Sequence, residues 1–221
     1  IINNKNILTK IYNSMSFRYL HLGQKDIMLE YASLVMEYAK SFSNYTTLAR
    51  SYFCIFEYYL YINPNKSEKY YKKVINYYNK YKLEELKEDI LDMKYDLLLY
   101  SEQYEDYIKT ENLVKKSIKY ASNKMYLCDF YLHLAIINSL KANKNESIII
   151  FNKAEKIIPK ENKFMNANLH FCKGIAYKFL QEYENSKYEF KKSRKLYNGL
   201  DAYFHVNKVD KYLNELKTKS I

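Results

Sequence analysis

The stretch Gly174–Tyr197, GIAYKFLQEYENSKYEFKKSRKLY, decides the fold of this chain. Its pattern predicts two helices joined by a tight turn. Gly174 would let the two helices approach closely, and Ser186 and Ser193 are small where the second helix crosses the first. Phe190 is expected to close the space toward the next element. Because such a hairpin cannot bury its apolar face alone, we expect neighbouring hairpins along the chain.

The spacing of key residues resembles that of the tetratricopeptide repeat, a helix–turn–helix unit of about 34 residues. In the decisive stretch these residues are Gly174, Tyr177, Tyr183, Ser186, Phe190 and Ser193. The segment from Tyr131 to Pro159 fits the same template, and weaker copies precede it. The anchors of successive second helices are 39, 43, 37 and 39 residues apart, at Met28, Ser67, Thr110, Ser147 and Ser186. These offsets predict helices or turns longer than those of the consensus repeat.

The resemblance implies an all-α fold, a right-handed superhelical solenoid of about five tetratricopeptide-like hairpins and a C-terminal capping helix. We expect a single domain over residues 1–221, with hairpins at 4–42, 45–81, 83–121, 125–158 and 162–197 and the capping helix at 200–219. The apolar stripe of that last helix is Ala202, Val206, Val209, Leu213 and Leu216. A stripe this short favours capping of the last repeat, and a coiled-coil seam is the alternative.

The composition agrees with a helical repeat protein. Only 3 Gly and 2 Pro occur, so the chain has little of the turn chemistry that a β-sheet protein needs. The 27 Tyr suit a thin solenoid with two exposed faces, because tyrosine can bury its ring and keep its hydroxyl in water.

The three cysteines predict a reducing compartment. Cys54, Cys128 and Cys172 are odd in number and lack paired spacing, so we expect buried, reduced thiols in a cytoplasmic protein. No apolar run reaches the length of about 18 residues that spans a membrane, and a membrane partner is therefore not expected.

Catalytic chemistry leaves no signature in the sequence. His21, His133, His170 and His205 fall on four different predicted helices, and no HExxH, CxxC or glycine-rich phosphate loop occurs. We therefore expect no enzyme activity, no catalytic residues, no metal site and no cofactor.

The chain is basic, with a net charge of +11. One cluster lies on the outer helix of the last hairpin and contains Lys187, Lys191, Lys192, Arg194 and Lys195. A nucleic-acid patch is one interpretation of this cluster. A solvated outer face is the favoured one, since no aromatic platform is interleaved with these charges. The acidic run from Glu84 to Asp96 is likewise expected to be a solvated face.

The array as a whole looks like the tetratricopeptide domains of peptide-sensing regulators in Gram-positive bacteria, the Rgg, PlcR, NprR and Rap group. That resemblance implies a sensor domain of a quorum-sensing transcription regulator, which binds a short signalling peptide or protein segment. Because the chain starts at Ile1 rather than Met, we expect it to be a fragment that contacts DNA only through a domain absent from this chain. A homodimer and a general scaffold for protein–protein interaction are the other options.

In such arrays the first helix of each hairpin lines the concave surface. The resemblance therefore implies an open, mainly apolar surface that holds the side chains of a short apolar peptide, while amides hold its backbone. Its expected residues are Asn13, Phe17, Tyr52, Phe56, Tyr95, Leu99, Leu132, Ile136, Asn168, Phe171 and Ile175. The alternative is that many of these side chains only pack neighbouring repeats.

Overall fold

A computed structural model describes residues 2–218, and side chains from 7 to 217. This part of the chain is helical throughout and contains no β-strand, which confirms the predicted all-α class. The helices are α1 (Ile2–His21), α2 (Lys25–Ser41), α3 (Tyr45–Leu60), α4 (Pro64–Tyr81), a 3-10 turn η1 (Glu84–Leu86), α5 (Lys87–Tyr100), α6 (Tyr104–Lys109), α7 (Glu111–Tyr120), α8 (Lys124–Leu140), α9 (Lys144–Ile157), α10 (Lys163–Phe179), α11 (Tyr183–Asn198) and α12 (Tyr203–Thr218).

The helices pack in consecutive pairs. α1 packs on α2, α3 on α4, α8 on α9 and α10 on α11. The bounds of these four pairs lie within a few residues of the predicted hairpins. The hairpin pattern of the first two and last two repeats could therefore be predicted from the sequence.

The described chain forms two compact units that divide between Glu102 and Gln103. Unit 1 contains α1–α5, and its core includes Leu48 and Phe56 of α3, Val74 of α4 and Met93 of α5. Unit 2 contains α6–α12, and α8 lies at its centre in contact with α6, α7, α9 and α10. A single domain over the whole chain stays a prediction.

The anchor of every predicted repeat is buried. Met28, Ser67 and Ser147 are fully buried, as is Ser186, and Thr110 is nearly so. The residues seven positions after these anchors are also buried, namely Val35, Val74, Ser117, Ala154 and Ser193. Residues seven apart lie on one helix face, so α2, α4, α9 and α11 each bury the same face, and each packs on the first helix of its pair.

Small side chains hold the two helices of a hairpin close together. Ser186 Oγ donates to the carbonyl of Gly174 at 2.7 Å, and Ser193 Oγ donates to the carbonyl of Ala167 at 2.8 Å. In unit 1, Ser67 Oγ donates to the carbonyl of Phe56 at 2.9 Å. Each of these hydroxyl groups donates its hydrogen bond to a backbone carbonyl of the neighbouring helix. Because the side chains are small, the two helices remain close together.

Asparagine side chains begin several helices. The Oδ1 atoms of Asn44, Asn63, Asn123 and Asn162 accept backbone N–H groups in the first turns of α3, α4, α8 and α10. Pro64 occupies the first turn of α4, where its missing N–H has no cost. Asn63 and Pro64 together therefore form the start of α4.

The third predicted hairpin differs from its prediction because its second helix breaks at Thr110. α6 ends at Lys109 and α7 begins at Glu111. Thr110 Oγ1 donates to the carbonyl of Tyr107 at 2.6 Å and thereby competes with the regular helical hydrogen bond. Tyr107 is itself fixed in the core, since its hydroxyl lies 2.8 Å from Nδ1 of His133.

The acidic run is only partly the solvated face that we expected. Glu84 and Glu85 are exposed, but Asp89 is buried with 8% of its surface accessible. α5 packs on α4, so one of its faces cannot remain in solvent.

The last helix has the predicted apolar stripe. Ala202, Val206, Val209 and Leu216 are buried, Leu213 is only half-buried, and α12 packs on α11. The Tyr212 ring lies 5.3 Å from the Phe190 ring, so α12 covers this residue of the last hairpin.

None of the helices within residues 2–218 combines the length and the apolar character that crossing a bilayer requires.

Candidate functional site

The strongest candidate site is in unit 1, where α1 and α3 meet. Asn13 and Phe17 lie one turn apart on α1 and are half-buried. The Phe17 ring contacts the Phe53 ring of α3 edge to face, with centroids 6.0 Å apart, and Phe53 contacts Phe56 at 6.2 Å. We call these four residues the α1/α3 face. Three of them belong to the peptide-binding set predicted from the sequence.

The side chain of Asn13 is the unusual polar feature of this face. Its Oδ1 atom is shielded from solvent and has no hydrogen-bond partner among the described residues. A buried polar atom without a partner costs about 1–3 kcal/mol, so native proteins rarely keep one without a reason. This oxygen could accept the N–H group of a ligand once the groups that shield it move aside.

Small buried residues allow α1 to pack closely on α3. Ser16 is fully buried, and its hydroxyl donates to the carbonyl of Asn13 at 2.8 Å. Cys54 of α3 is also fully buried, and Ser16 is its hydrogen-bond partner. These two short side chains lie where α1 packs on α3.

The cysteines are buried thiols, as predicted. Burial raises the pKa of the Cys54 thiol far above its ordinary value and raises that of Cys128 to about 12. Both groups are therefore protonated at neutral pH and unreactive. In residues 7–217, no three His, Cys, Asp or Glu side chains are grouped so that they could hold a metal ion.

Most of the predicted peptide-binding residues are not open to solvent. Eight of the eleven are buried, with at most 8% of their surface accessible: Tyr52, Phe56, Tyr95, Leu99, Leu132, Ile136, Phe171 and Ile175. The expectation that these side chains line an open surface is wrong for this structure. They pack against neighbouring helices, which was the alternative interpretation, and a role in peptide binding stays a prediction for each of them.

Phe171 shows the physical reason most clearly. The Tyr212 ring of α12 lies 5.4 Å from the Phe171 ring, and the Lys208 ammonium lies 3.9 Å above it. α12 therefore covers a position that the repeat pattern predicts to be open.

Asn168 keeps partial exposure on α10 of unit 2. Its Oδ1 atom lies 3.9 Å from the Cys172 thiol, which is a weak donor at that distance. The amide thus has little to hold it in place, which is compatible with a role toward a ligand. On the same helix, His170 Nδ1 lies 2.6 Å from Glu189 Oε2 and joins α10 to α11.

Phe53 is the member of the α1/α3 face that the sequence prediction missed. The register of the second repeat was read from Tyr52 and Phe56, and α3 is apolar on nearly all sides. The signal in the sequence was the position of Phe53. It follows Tyr52 directly, so it lies on a different face of α3, and it precedes Phe56 by three residues.

The α1/α3 face offers aromatic rings and one amide acceptor. These groups can bind an apolar chain that carries backbone N–H groups.

Among the models of known protein families, none matches this chain. A comparison with curated proteins likewise gives no significant match.

Proposed function

We propose that this chain is a peptide-binding domain that holds a short, largely apolar peptide against the α1/α3 face. The observation that carries the proposal is Asn13 Oδ1, which is shielded from water, has no partner in the described chain and lies one turn from the half-buried Phe17. When the groups that shield it move aside, a peptide N–H group at this position would satisfy that oxygen, and the Phe17 and Phe53 rings would contact the adjacent side chain.

The buried residues of the predicted set would then act indirectly. In unit 1, Phe56 lies behind Phe53 and keeps its ring in place. In unit 2, Asn168 is the predicted residue that retains exposure and is the second position where an amide could contact a peptide.

The finer identity of the domain is part of the same proposal. We infer a tetratricopeptide-type array with a right-handed superhelical arrangement, serving as the sensor of a cytoplasmic, quorum-sensing transcription regulator. In that scheme any contact with DNA is made by another domain. The support for the array is the set of buried anchors and the consecutive pairing of helices.

A scaffold for a protein partner is the second candidate, and a specific surface favours it. Ile7, Leu8 and Ile11 of α1 are exposed to between 38% and 55%. Ile7 and Ile11 are one turn apart, so they form a short apolar stripe that a second helix, including one from another copy of this chain, could cover.

Titration calorimetry with short apolar peptides tests the first candidate. The probes are peptides of about five to eight residues taken from the small secreted precursors of the source organism. Asn13→Ala should weaken binding by about 1–3 kcal/mol, because the peptide N–H would lose its acceptor. Asn168→Ala tests the second amide in the same way.

The matched control is Asn152→Ala, since Asn152 is exposed on α9. This variant should bind like the wild type. Equal affinity in the Asn13 and Asn152 variants would remove the α1/α3 face from the site. Binding that depends instead on Ile7 and Ile11, and that requires a folded protein partner, would favour the scaffold.

A further inference from the structure

A row of tyrosine rings and lysine ammonium groups runs along the contact between α3 and α4 in unit 1. We call it the Tyr–Lys ladder, and it consists of Tyr45, Tyr52, Tyr59, Tyr70, Tyr77 and Tyr81 with Lys66, Lys73 and Lys80. All of these residues except Tyr81 repeat at intervals of seven within their helix, and Tyr81 follows Tyr77 by one helical turn. Residues seven apart are two helical turns apart, so each set falls on one side of its helix.

The rings contact one another from end to end. Tyr59 stacks on Tyr70 with centroids 6.0 Å apart and planes only 5° apart. Tyr52 contacts Tyr70 at 6.3 Å and Tyr77 at 5.9 Å. At the other end, Tyr45 stacks on Tyr81 at 3.5 Å. All of these rings except that of Tyr52 keep part of their surface exposed.

The lysines are held by the rings and not by carboxylates. The Lys66 ammonium lies 3.9 Å from the centre of the Tyr59 ring, and the Lys73 ammonium lies 4.9 Å from that of Tyr52. Cation–π contact places each ammonium group without neutralising its charge. Among the described residues, none of the three ladder lysines forms a salt bridge with an acidic side chain.

The charge of α4 as a whole is strongly positive. The helix carries five lysines and one glutamate. That glutamate, Glu68, is paired with Lys72 at 2.7 Å, and Lys72 is not part of the ladder. The ladder charges therefore remain available to an anionic partner.

The basic cluster of α11 differs in this respect. Lys187 is paired with Glu184 at 2.8 Å, and Arg194 contacts Asp210 through its Nε atom at 2.6 Å. Two of its five cations are thus already engaged by carboxylates. The α4 surface combines unneutralised cations with an aromatic row, and it is the stronger candidate for an anionic ligand.

We propose that the Tyr–Lys ladder binds single-stranded nucleic acid without sequence preference. Exposed aromatic rings contact bases of any identity, and lysines follow the phosphate backbone. This combination favours a nucleic acid over an acidic peptide, because an acidic peptide offers no bases to the rings. The proposal is independent of peptide binding, which concerns the α1/α3 face.

The geometry sets the size of the site. From Lys66 to Lys80 the helix rises by about 21 Å, which matches about six nucleotides of a stacked strand. Three neutralised phosphates predict a slope near −2 when the logarithm of the binding constant is plotted against the logarithm of salt concentration.

Fluorescence anisotropy with labelled 12-nucleotide oligo(U) and oligo(dT) tests the ladder in the full chain. The first variant combines Lys66→Gln, Lys73→Gln and Lys80→Gln. Its control combines Lys187→Gln, Lys191→Gln and Lys195→Gln, which removes the same charge elsewhere. We expect the ladder variant to lose about tenfold or more in affinity at low salt and to have a nearly flat salt slope, while the control changes by less than about threefold.

A second variant tests the rings without a change in charge. Tyr59→Leu combined with Tyr81→Leu should weaken binding by about tenfold, because the end rings of the ladder would no longer stack with bases. Stronger binding of oligo(U) than of oligo(dT) would assign RNA as the ligand, and the reverse order would assign DNA.

Three outcomes would overturn the proposal. One is an absence of binding by the wild type at low salt. Another is an equal loss in the two triple variants, which would show that only the net charge matters. The third is displacement of the oligonucleotides by an equimolar poly-glutamate peptide, which would show that the ladder takes acidic polypeptides instead.

Discussion

The Phe190 ring packs directly on the backbone of Gly174. A Cβ atom at position 174 would lie 2.6 Å from Cδ1 and Cε1 of that ring, well inside contact distance. Phe190 cannot move away easily, because it is fully buried and lies against the Phe171 and Tyr212 rings.

We expect Gly174→Ala to lower the free energy of unfolding by about 1–3 kcal/mol, since the cost of overpacking exceeds the gain in helix propensity. Gly199→Ala is the control, because its new Cβ would lie 3.5 Å from the nearest atom and its φ is −70°. Urea denaturation of both variants measures the difference. A Gly174→Ala protein as stable as the control would mean that the hairpin relaxes without loss.

The turns inside the hairpins give a pair of substitutions with opposite expected effects. Gly23 has φ of 73° and Ala142 has φ of 58°, and the following residue of each turn donates its N–H to a carbonyl of the preceding helix. Glycine adopts this left-handed conformation at little cost, whereas alanine is strained there. Gly23→Ala should therefore destabilise the protein by about 1 kcal/mol, and Ala142→Gly should stabilise it by up to about 1 kcal/mol.

Thermal unfolding of these two variants tests that pair. Lys153→Gly, at an exposed position within α9, serves as the control and should be destabilising by about 1 kcal/mol. If Ala142→Gly and Lys153→Gly lost the same stability, the turn conformation would carry no strain.

His21 predicts a loss of stability in mild acid. Burial, with a smaller contribution from the charge of Arg18, lowers its pKa from 6.5 to about 4. The unfolded chain therefore binds a proton between these values and the folded chain does not. Above pH 6.5 neither state is protonated at His21, so this group does not lower the stability. As the pH decreases from 6.5 toward 4, the free energy of unfolding falls by up to about 3 kcal/mol.

The check is the free energy of unfolding from pH 7 to pH 4 in the wild type and in His21→Gln. The variant should show a flatter dependence over this range, since it lacks the titrating group. An unchanged slope would assign the acid sensitivity to other residues.

The side chain of Asn13 should lower the stability of the protein in the absence of a ligand. Asn13→Leu removes a shielded oxygen that has no partner in the described chain, so we expect a gain of about 1 kcal/mol or more. Asn152→Leu, on an exposed helix surface, measures the change in helix propensity alone. The gain at position 13 should exceed that at position 152. A loss of stability at position 13 would show that its oxygen is satisfied in solution.

The sequence predicts the helical hairpins better than it predicts the binding surface, and the reason lies in particular residues. Ser67, Ser147 and Ser186 are small residues within polar second helices, so their burial follows from one clear pattern. α3 and α8, by contrast, are apolar on most sides. Periodicity alone cannot separate a side chain such as Leu132, which is buried, from one that lines an open surface.

Two further features depend on contacts between distant parts of the chain. Asn13, whose Oδ1 has no partner in the described chain, lies on α1, where Phe17 one turn later contacts Phe53 of α3. The cover over Phe171 follows from the position of α12, which brings Tyr212 and Lys208 onto α10. Neither relationship has a local signal in the sequence.

The hydroxyl bonds that join the helices of a hairpin also bear on how such a chain can change over time. Ser186 and Ser193 fix their hairpin through two backbone carbonyls, while the intervening turn makes no contribution to those bonds. Residues can therefore be inserted at the turns, and outer surfaces can be replaced, while the interlocking positions stay the same. The anchors are already unequally spaced, from 37 to 43 residues apart, although the turns inside the hairpins are all three residues long.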